Sequence, residues 1–514
     1  MRILNLFVLS VIVFGCESFA QNTLEIYTNA GEHRISKDIY GHFAEHLGRC
    51  IYDGIWVGPD SDIPNVNGYR KDVLEALQAL EIPVLRWPGG CFADTYHWKD
   101  GIGPVEERPK IKNVFWGGVI EDNSFGTHEF LNLCELLGSD AYISANVGSG
   151  TVREMIDWIV YMTSDDDVEM ADLRRKNGRE KPWDVKFIGI GNESWGCGGE
   201  MTAEHYGDLM KTYSSYARLY GGRRLVRVGS GANSGDYNWT RVLMEKGAGQ
   251  VDALGAHYYT IAGEGWGNKS SATDFGEDLY FRGIQQGLRM DVLISQHSAI
   301  MDQYDPGRRV GLFIDEWGIW TDVEPGTNPG FLYQQNSMRD ALIAATTLNI
   351  FNKHSERVRM ANIAQTVNVL QAMVLTQDDK MLLTPTYHVF NMYKDHKGAL
   401  MLPFHLSTED YERNGSKIPA ISSSVSLADD GGMTLTLTNV NPDKEAGLEI
   451  SFVGRNIADV QDALVLTAPA VNSINTFDKT DTVSPKKFSG FKKTSHNTIR
   501  VELPSKSVVK LKVK

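Results

Sequence analysis

Two glutamates in the middle of the chain each close a short apolar run: Glu193 ends VKFIGIGNE (185–193), and Glu316 stands in RVGLFIDEWG (309–318). Paired carboxyl groups are the reagents of glycoside hydrolysis. One gives a proton to the leaving oxygen and the other attacks the anomeric carbon through an oxocarbenium-like transition state. The neighbours suit a division of labour. Trp195 offers an apolar wall that raises the pKa of an adjacent acid by desolvation. Asn192 can hydrogen-bond a sugar hydroxyl, and Arg86, near the end of IPVLRWPGG (82–90), can pair with an ionised Glu316. Glu193 is therefore the expected acid/base and Glu316 the expected nucleophile. Most of the 65 Asp and Glu residues are solvated surface charges, so neither glutamate says much by itself. Two at the ends of apolar strands, each with an aromatic neighbour, carry the reading together.

Strand ends can do chemistry only if a scaffold gathers them. Short apolar runs alternate here with longer amphipathic stretches, the pattern of strand-helix units around a parallel sheet. The expected strands are a segment at 40–45, then 82–90, 141–148, 185–193, 224–231, 251–259, 309–318 and a last one inside 360–374. Helical patterns at 70–80 and 127–138 lie between them, the second closing on Gly138 as a C-cap. Eight such units predict an α/β fold, the (β/α)8 TIM barrel, with its chemistry at the C-terminal ends of the strands. Those ends are polar: Glu45, Arg86, Asn146, Asn192, Glu193, Asn233, His257, Asp315 and Glu316. Strand packing gives no reason for that. His257, followed by Tyr258 and Tyr259, is expected to face a substrate.

After about residue 384 the period shortens to two in SSSVSLADDGGMTLTLTNVNP and again in SVVKLKVK, which predicts a C-terminal antiparallel β-sandwich, jelly-roll-like. The early segment TLEIYTNAGEHRIS alternates likewise and is expected to add N-terminal strands to it. The expected organisation is a signal peptide at 1–20, sandwich strands at 21–38, the catalytic barrel at 39–383 and the sandwich at 384–514.

Composition sets limits. With 51 Lys and Arg against 65 Asp and Glu, the net charge of −14 argues against nucleic acid, whose binding needs basic surface. At the N-terminus, Arg2, the apolar run Ile3–Phe14 and Ser18-Phe19-Ala20 have the form of a cleaved leader. The run is too short to span a bilayer, so the expectation is export to the periplasm or the medium, with lipid anchoring at Cys16 as the alternative. Cys50, Cys91, Cys134 and Cys197 show no CxxC spacing, so no zinc ribbon or redox motif is indicated.

A family resemblance gathers these signals. GHFAEHLGRCIYDGIWVG (41–58), LRWPGGCFADTYHWKDGIGP (85–104), GIGNESWGCGG (189–199), HYYT (257–260), DEWG (315–318), ANIAQTVNVLQAM (361–373) and TPTYHVFNMYK (384–394) resemble, in order, the motifs of glycoside hydrolase family 51. The resemblance implies an exo-acting, retaining α-L-arabinofuranosidase taking terminal sugars from arabinan, arabinoxylan or their oligosaccharides, with no cofactor. It places the acid/base at Glu193 and the nucleophile at Glu316. Contacts to the sugar carry over to Glu45, Asn192, His257, Tyr259 and Gln365, with Arg86 behind the nucleophile and Trp98 and Trp317 flanking the site motifs. Cys91 takes a sugar-contacting position where many relatives have Asn, and a thiol is the poorer hydrogen-bonding group. Cys91 and Cys197 both follow strand ends at the barrel mouth, which suggests a disulfide between them, with free thiols as the alternative. Relatives assemble as trimers or hexamers, so a homo-oligomer is expected too.

Two other functions fit parts of the chain: a retaining β-glycosidase or endoglucanase on the same barrel, and a carbohydrate-binding protein without turnover. His42-x-x-Glu45-His46 matches H-x-x-E-H, but a zinc site of that kind needs a helix, and this segment reads as a strand end, so no metal is expected. Asp165-Asp166-Asp167 reads as a solvated loop. Trp56, Trp87, Trp116 and Trp266 are core or sugar platform, which sequence alone does not decide.

Overall fold

The structure is a computed structural model that describes residues 22–514; the expected leader and Cys16 lie outside the described residues. Eight parallel strands close a barrel: Gly41–Phe43, Val84–Trp87, Asp140–Ala145, Val185–Ile190, Val226–Asn233, Ala253–Thr260, Gly311–Ile319 and Val358–Ala364. They fall on the eight apolar runs. Both faces of each strand are covered, which is why the runs are nearly continuous in apolar residues rather than alternating. Inside the barrel Val84, Tyr142, Phe187, Val228, Ala253, Phe313 and Met360 form one cluster, a residue from each strand but the first. The first strand contributes Gly41. A Cβ there would lie 2.5 Å from Val84 Cγ1 and 2.2 Å from Asn362 Oδ1, so only glycine leaves room for its neighbours.

The helices that pack outside begin and end on local signals. Thr127–Leu137 closes on Gly138 at φ 67°, a left-handed turn that costs glycine least. Met338–Lys353 is almost wholly buried because the sandwich covers it. Its Asn349 and Asn352 amides donate to Ser422 Oγ and Ser424 Oγ, so this polar interface is satisfied side chain to side chain. Pro385–Tyr393 starts at Thr384, whose hydroxyl accepts from the Tyr387 N–H, and Tyr387 in turn donates to Ala76 O on a barrel helix. Among the described residues no helix is long and apolar enough to cross a membrane.

The sandwich has two sheets. One runs Phe404–Ser407, Asn22–Tyr27, Ala446–Val453, Thr498–Leu503, Phe491–Lys493; the other runs Leu400–Met401, Ile421–Leu427, Met433–Asn439, Ser507–Val513, Val460–Thr467, Lys486–Lys487. The N-terminal strand enters as expected, antiparallel to Phe404–Ser407 but parallel to Ala446–Val453. That parallel pair is possible because the two strands are joined through the whole barrel rather than by a hairpin.

Candidate active site

The fourth strand stops at Ile190, and Gly191 turns the chain at φ 79°. Glu193 itself is left-handed at φ 39°, a conformation that costs a non-glycine residue energy and is held only where its surroundings demand it. Here the Gly196 and Gly198 N–H groups donate to the Glu193 carbonyl at 2.7 and 3.1 Å. The buried carboxylate of Asp94 accepts from the N–H groups of Asn192, Val147 and Gly148 at 3.0, 2.9 and 2.8 Å. Burial lifts the Asp94 pKa to about 7 against these three donors.

On the seventh strand, period-two alternation would send Asp315 and Glu316 to opposite faces. An irregularity in the pairing breaks it: Gly255 faces Phe313, but His257 faces Glu316. Both acids therefore reach the mouth. Glu316 Oε1 accepts from Arg86 Nη1 at 2.8 Å and Oε2 from Tyr259 OH at 2.8 Å. Arg86 is buried and also donates to Asn192 Oδ1 at 2.5 Å and Asp315 O at 3.2 Å. Tyr142 OH donates to Asp315 Oδ2 at 2.8 Å.

His257 joins the two glutamates. Its Nδ1 is 2.8 Å from Glu193 Oε1 and 3.5 Å from Glu316 Oε2, and its Nε2 is 3.4 Å from Asp315 Oδ1. Burial alone would lower its pKa, but Glu316, Asp315 and Glu193 together raise it to about 10, so the ring is an imidazolium that donates to Glu193. Burial, and then the charge of Glu316, hold the Glu193 carboxyl above the usual range, with His257 opposing. A carboxylate oxygen of each glutamate and a His257 ring nitrogen all lie within 4.8 Å of one another.

Glu45, just past the first strand, accepts from Phe92 N–H at 3.1 Å and Trp116 Nε1 at 2.8 Å on Oε1, and from Gln365 Nε2 at 2.8 Å on Oε2. Burial, with the charge of Glu316, raises it to about 7. Gly90 lies between: a Cβ there would come within 3.2 Å of both Glu45 Oε1 and Glu316 Oε1. Among the described residues Asn192 Nδ2 and Gln365 Oε1 have no hydrogen-bond partner, capacity a ligand can use.

Glu45, Asn192, Glu193, His257, Tyr259, Glu316, Gln365 and Arg86 thus converge. Three other named residues have different surroundings. Cys91 is bonded to Cys197, so its sulfur has no proton to offer a sugar. Trp317 follows Glu316 on the strand and points outward, packing on Phe351 and Phe390 in the helix layer. Trp98 donates to Glu154 O and stacks on Trp158, behind the mouth rather than in it. Sequence reasoning missed Asp94 and did not choose Trp116; the polar position of Asp94 inside the PGGCFAD stretch was the one available sign. His42 packs on Phe390 while His46 accepts from Trp87 Nε1, so the two histidines of H-x-x-E-H have different surroundings.

Comparison with known proteins identifies the family. Residues 76–260 match the α-L-arabinofuranosidase 1 domain and 315–507 the α-L-arabinofuranosidase C-terminal domain. An intracellular exo-α-L-arabinofuranosidase of Bacteroides ovatus is 51% identical over 96% of this chain and 95% of its own. The crystal structure of a GH51 arabinofuranosidase from Xanthomonas axonopodis pv. citri superposes with a TM-score of 0.95 at 45% identity, covering 96% of this chain and all of the other. The chain belongs to glycoside hydrolase family 51, the α-L-arabinofuranosidases. An α-L-arabinofuranosidase from Thermotoga maritima in complex with arabinose is a more distant member of the same fold, 28% identical with a TM-score of 0.84 over 96% of this chain and 99% of the other. The expectation of export, by a cleaved leader or a lipid anchor at Cys16, is corrected by the Bacteroides ovatus relative: it is named intracellular, and the similarity extends over nearly the whole chain.

Proposed function

We propose that this family 51 member is an exo-acting, retaining α-L-arabinofuranosidase in which Glu193 is the acid/base and Glu316 the nucleophile. The carrying observation is the closeness of the two carboxyl groups, within 4.8 Å. Retaining glycosidases keep theirs roughly 5–5.5 Å apart, whereas inverting enzymes need about 6.5–9.5 Å to admit a water. His257 donates to Glu193 Oε1, which leaves Oε2 to carry the proton toward the leaving oxygen. Glu316, its charge paired with Arg86, attacks the anomeric carbon and forms a glycosyl ester with one inversion. Glu193, now ionised, takes a proton from water, and the second inversion restores the configuration.

Glu45, Asn192 and Gln365 supply hydrogen bonds to the hydroxyls of the terminal arabinofuranosyl ring, and Trp116 holds the Glu45 carboxylate toward it. The substrate is an arabinose-containing polysaccharide or oligosaccharide such as arabinan or arabinoxylan side chains, and the active form is a trimer or hexamer. The deciding experiment is NMR of nitrophenyl α-L-arabinofuranoside hydrolysis. First-formed α-arabinose is expected, and first-formed β-arabinose overturns the double displacement. Turnover of nitrophenyl β-xyloside or cellobioside above that of the arabinofuranoside overturns the sugar assignment, and light scattering of the purified chain checks the assembly.

A further inference from the structure

The Cys91–Cys197 disulfide lies against the oxygen of Glu193 that faces away from His257. Cys197 Sγ is 3.5 Å from Glu193 Oε2, whereas His257 Nδ1 contacts Oε1. A disulfide sulfur carries no proton, so this is a packing contact rather than a hydrogen bond. Cys91 begins the turn Cys91–Thr95 after the second strand, and Cys197 sits in the turn that follows Glu193. Their Cα atoms are 5.4 Å apart, and both residues are partly exposed. Both sulfurs and a Glu193 oxygen lie within 4.8 Å of one another.

We propose that this pair is a redox-gated metal site: once the disulfide is reduced, the two thiolates and Glu193 bind a thiophilic divalent cation such as Zn2+ or Cd2+, and the bound ion withdraws Oε2 from catalysis. Two thiolates, one carboxylate and a water make the four-coordinate set that zinc takes, and soft thiolates select such ions over Mg2+ or Ca2+. Tetrahedral ligation with bonds of about 2.3 Å sets two thiolates about 3.8 Å apart, reached by rotation about the Cα–Cβ bonds of residues spaced as these are. A dithiol reductant gives two electrons and two protons to the S–S bond and becomes a disulfide itself; the entering cation then expels both thiol protons and the proton of Glu193 to the solvent. The loops stay in place without the crosslink, because Asp94 and the Gly196 and Gly198 N–H groups hold the Glu193 turn independently of it. Cation binding does not depend on the reaction; the silencing rests on Glu193 being the acid.

The test uses the whole protein, reduced with a phosphine, freed of excess reductant and titrated with Cd2+. The ultraviolet thiolate-to-cadmium charge-transfer band and nitrophenyl arabinofuranoside hydrolysis are followed together. The reduced protein is expected to bind one Cd2+ with the band and to lose at least tenfold in rate, restored by a chelator. The oxidised protein and reduced Cys197→Ala are expected to give no band. A reduced protein without the band, or equal inhibition of the oxidised protein, overturns the inference and leaves the proposed reaction standing. A cadmium thiolate formed with full turnover overturns the gating and leaves the role of Glu193 as acid standing.

Discussion

Arg86 and Glu316 form a buried ion pair, Nη1 to Oε1 at 2.8 Å, and the same guanidinium reaches Asn192 Oδ1 through Nη2 at 2.5 Å. One planar group so ties the seventh-strand carboxylate to the residue that precedes Glu193 after the fourth. Taking one partner from a buried pair leaves an uncompensated charge and costs about 3–5 kcal/mol. Arg86→Ala is expected to lose stability of that order along with activity. Arg86→Lys keeps the charge but not the two-armed reach, so its fold should persist while kcat falls roughly 100-fold from misplacement of the reacting groups. Urea unfolding and steady-state kinetics on both variants check this.

The two glutamates should respond differently to azide. Glu193→Ala is expected to lose about 10²–10⁴-fold in hydrolysis and, with an activated nitrophenyl leaving group, to regain rate in azide as the arabinosyl azide of retained configuration. Glu316→Ala should instead give the inverted azide, because azide then attacks in place of the nucleophile. Products of the same configuration from both variants would exchange or erase the assigned roles.

His257 carries positive charge against Glu193 and so opposes the rise that burial imposes. His257→Asn removes that charge, leaving burial and the Glu316 charge to push the Glu193 pKa further up. The basic limb of kcat/KM, where the acid loses its proton, is expected to move to higher pH. A pH-rate profile measured on the variant decides it; a limb displaced downward would reverse the sign of the coupling.

Glu45 titrates near 7 when folded against 4.5 as a free carboxyl, so the folded state binds its proton more tightly. The stability this confers is complete below pH 4.5 and is lost as pH rises through about 7. Glu45→Gln fixes the neutral form. Its amide oxygen can still accept from Phe92 and Trp116, and Gln365 can turn its unpartnered Oε1 toward the new NH2. The variant is expected to gain on wild type between pH 5 and 8, by on the order of 3 kcal/mol, while KM rises. Thermal melts across that range provide the measurement.

Two tryptophans separate core from site. Trp317→Ala should cost about 3–5 kcal/mol of stability by opening a cavity against Phe351 and Phe390. Trp116→Phe loses only the bond to Glu45 Oε1 and is expected to raise KM with little change in melting temperature. The opposite assignment of the two effects would place Trp317 at the sugar after all.

Much of this molecule was legible in one dimension. Eight apolar runs, each ended by polar groups, determined the barrel, and the positions of Glu193 and Glu316 at those ends pointed to paired-carboxylate chemistry, because strand burial and strand termination are local properties of the chain. The resemblance of the motifs added the sugar. Direction was not legible. Period-two alternation sends neighbours to opposite faces, and only the irregular pairing of the sixth and seventh strands lets Asp315 join Glu316 at the mouth while Trp317 turns into the helix layer. Tertiary structure alone decided that Trp116, more than seventy positions from Glu45 in sequence, closes on its carboxylate and that Asp94 holds the Glu193 turn, whereas the Cys91–Cys197 bond was already suggested by both cysteines following strand ends. The first two are contacts between separate βα units, one side chain to side chain and one side chain to backbone, and no periodicity within a strand or helix encodes which groups the closed barrel brings together.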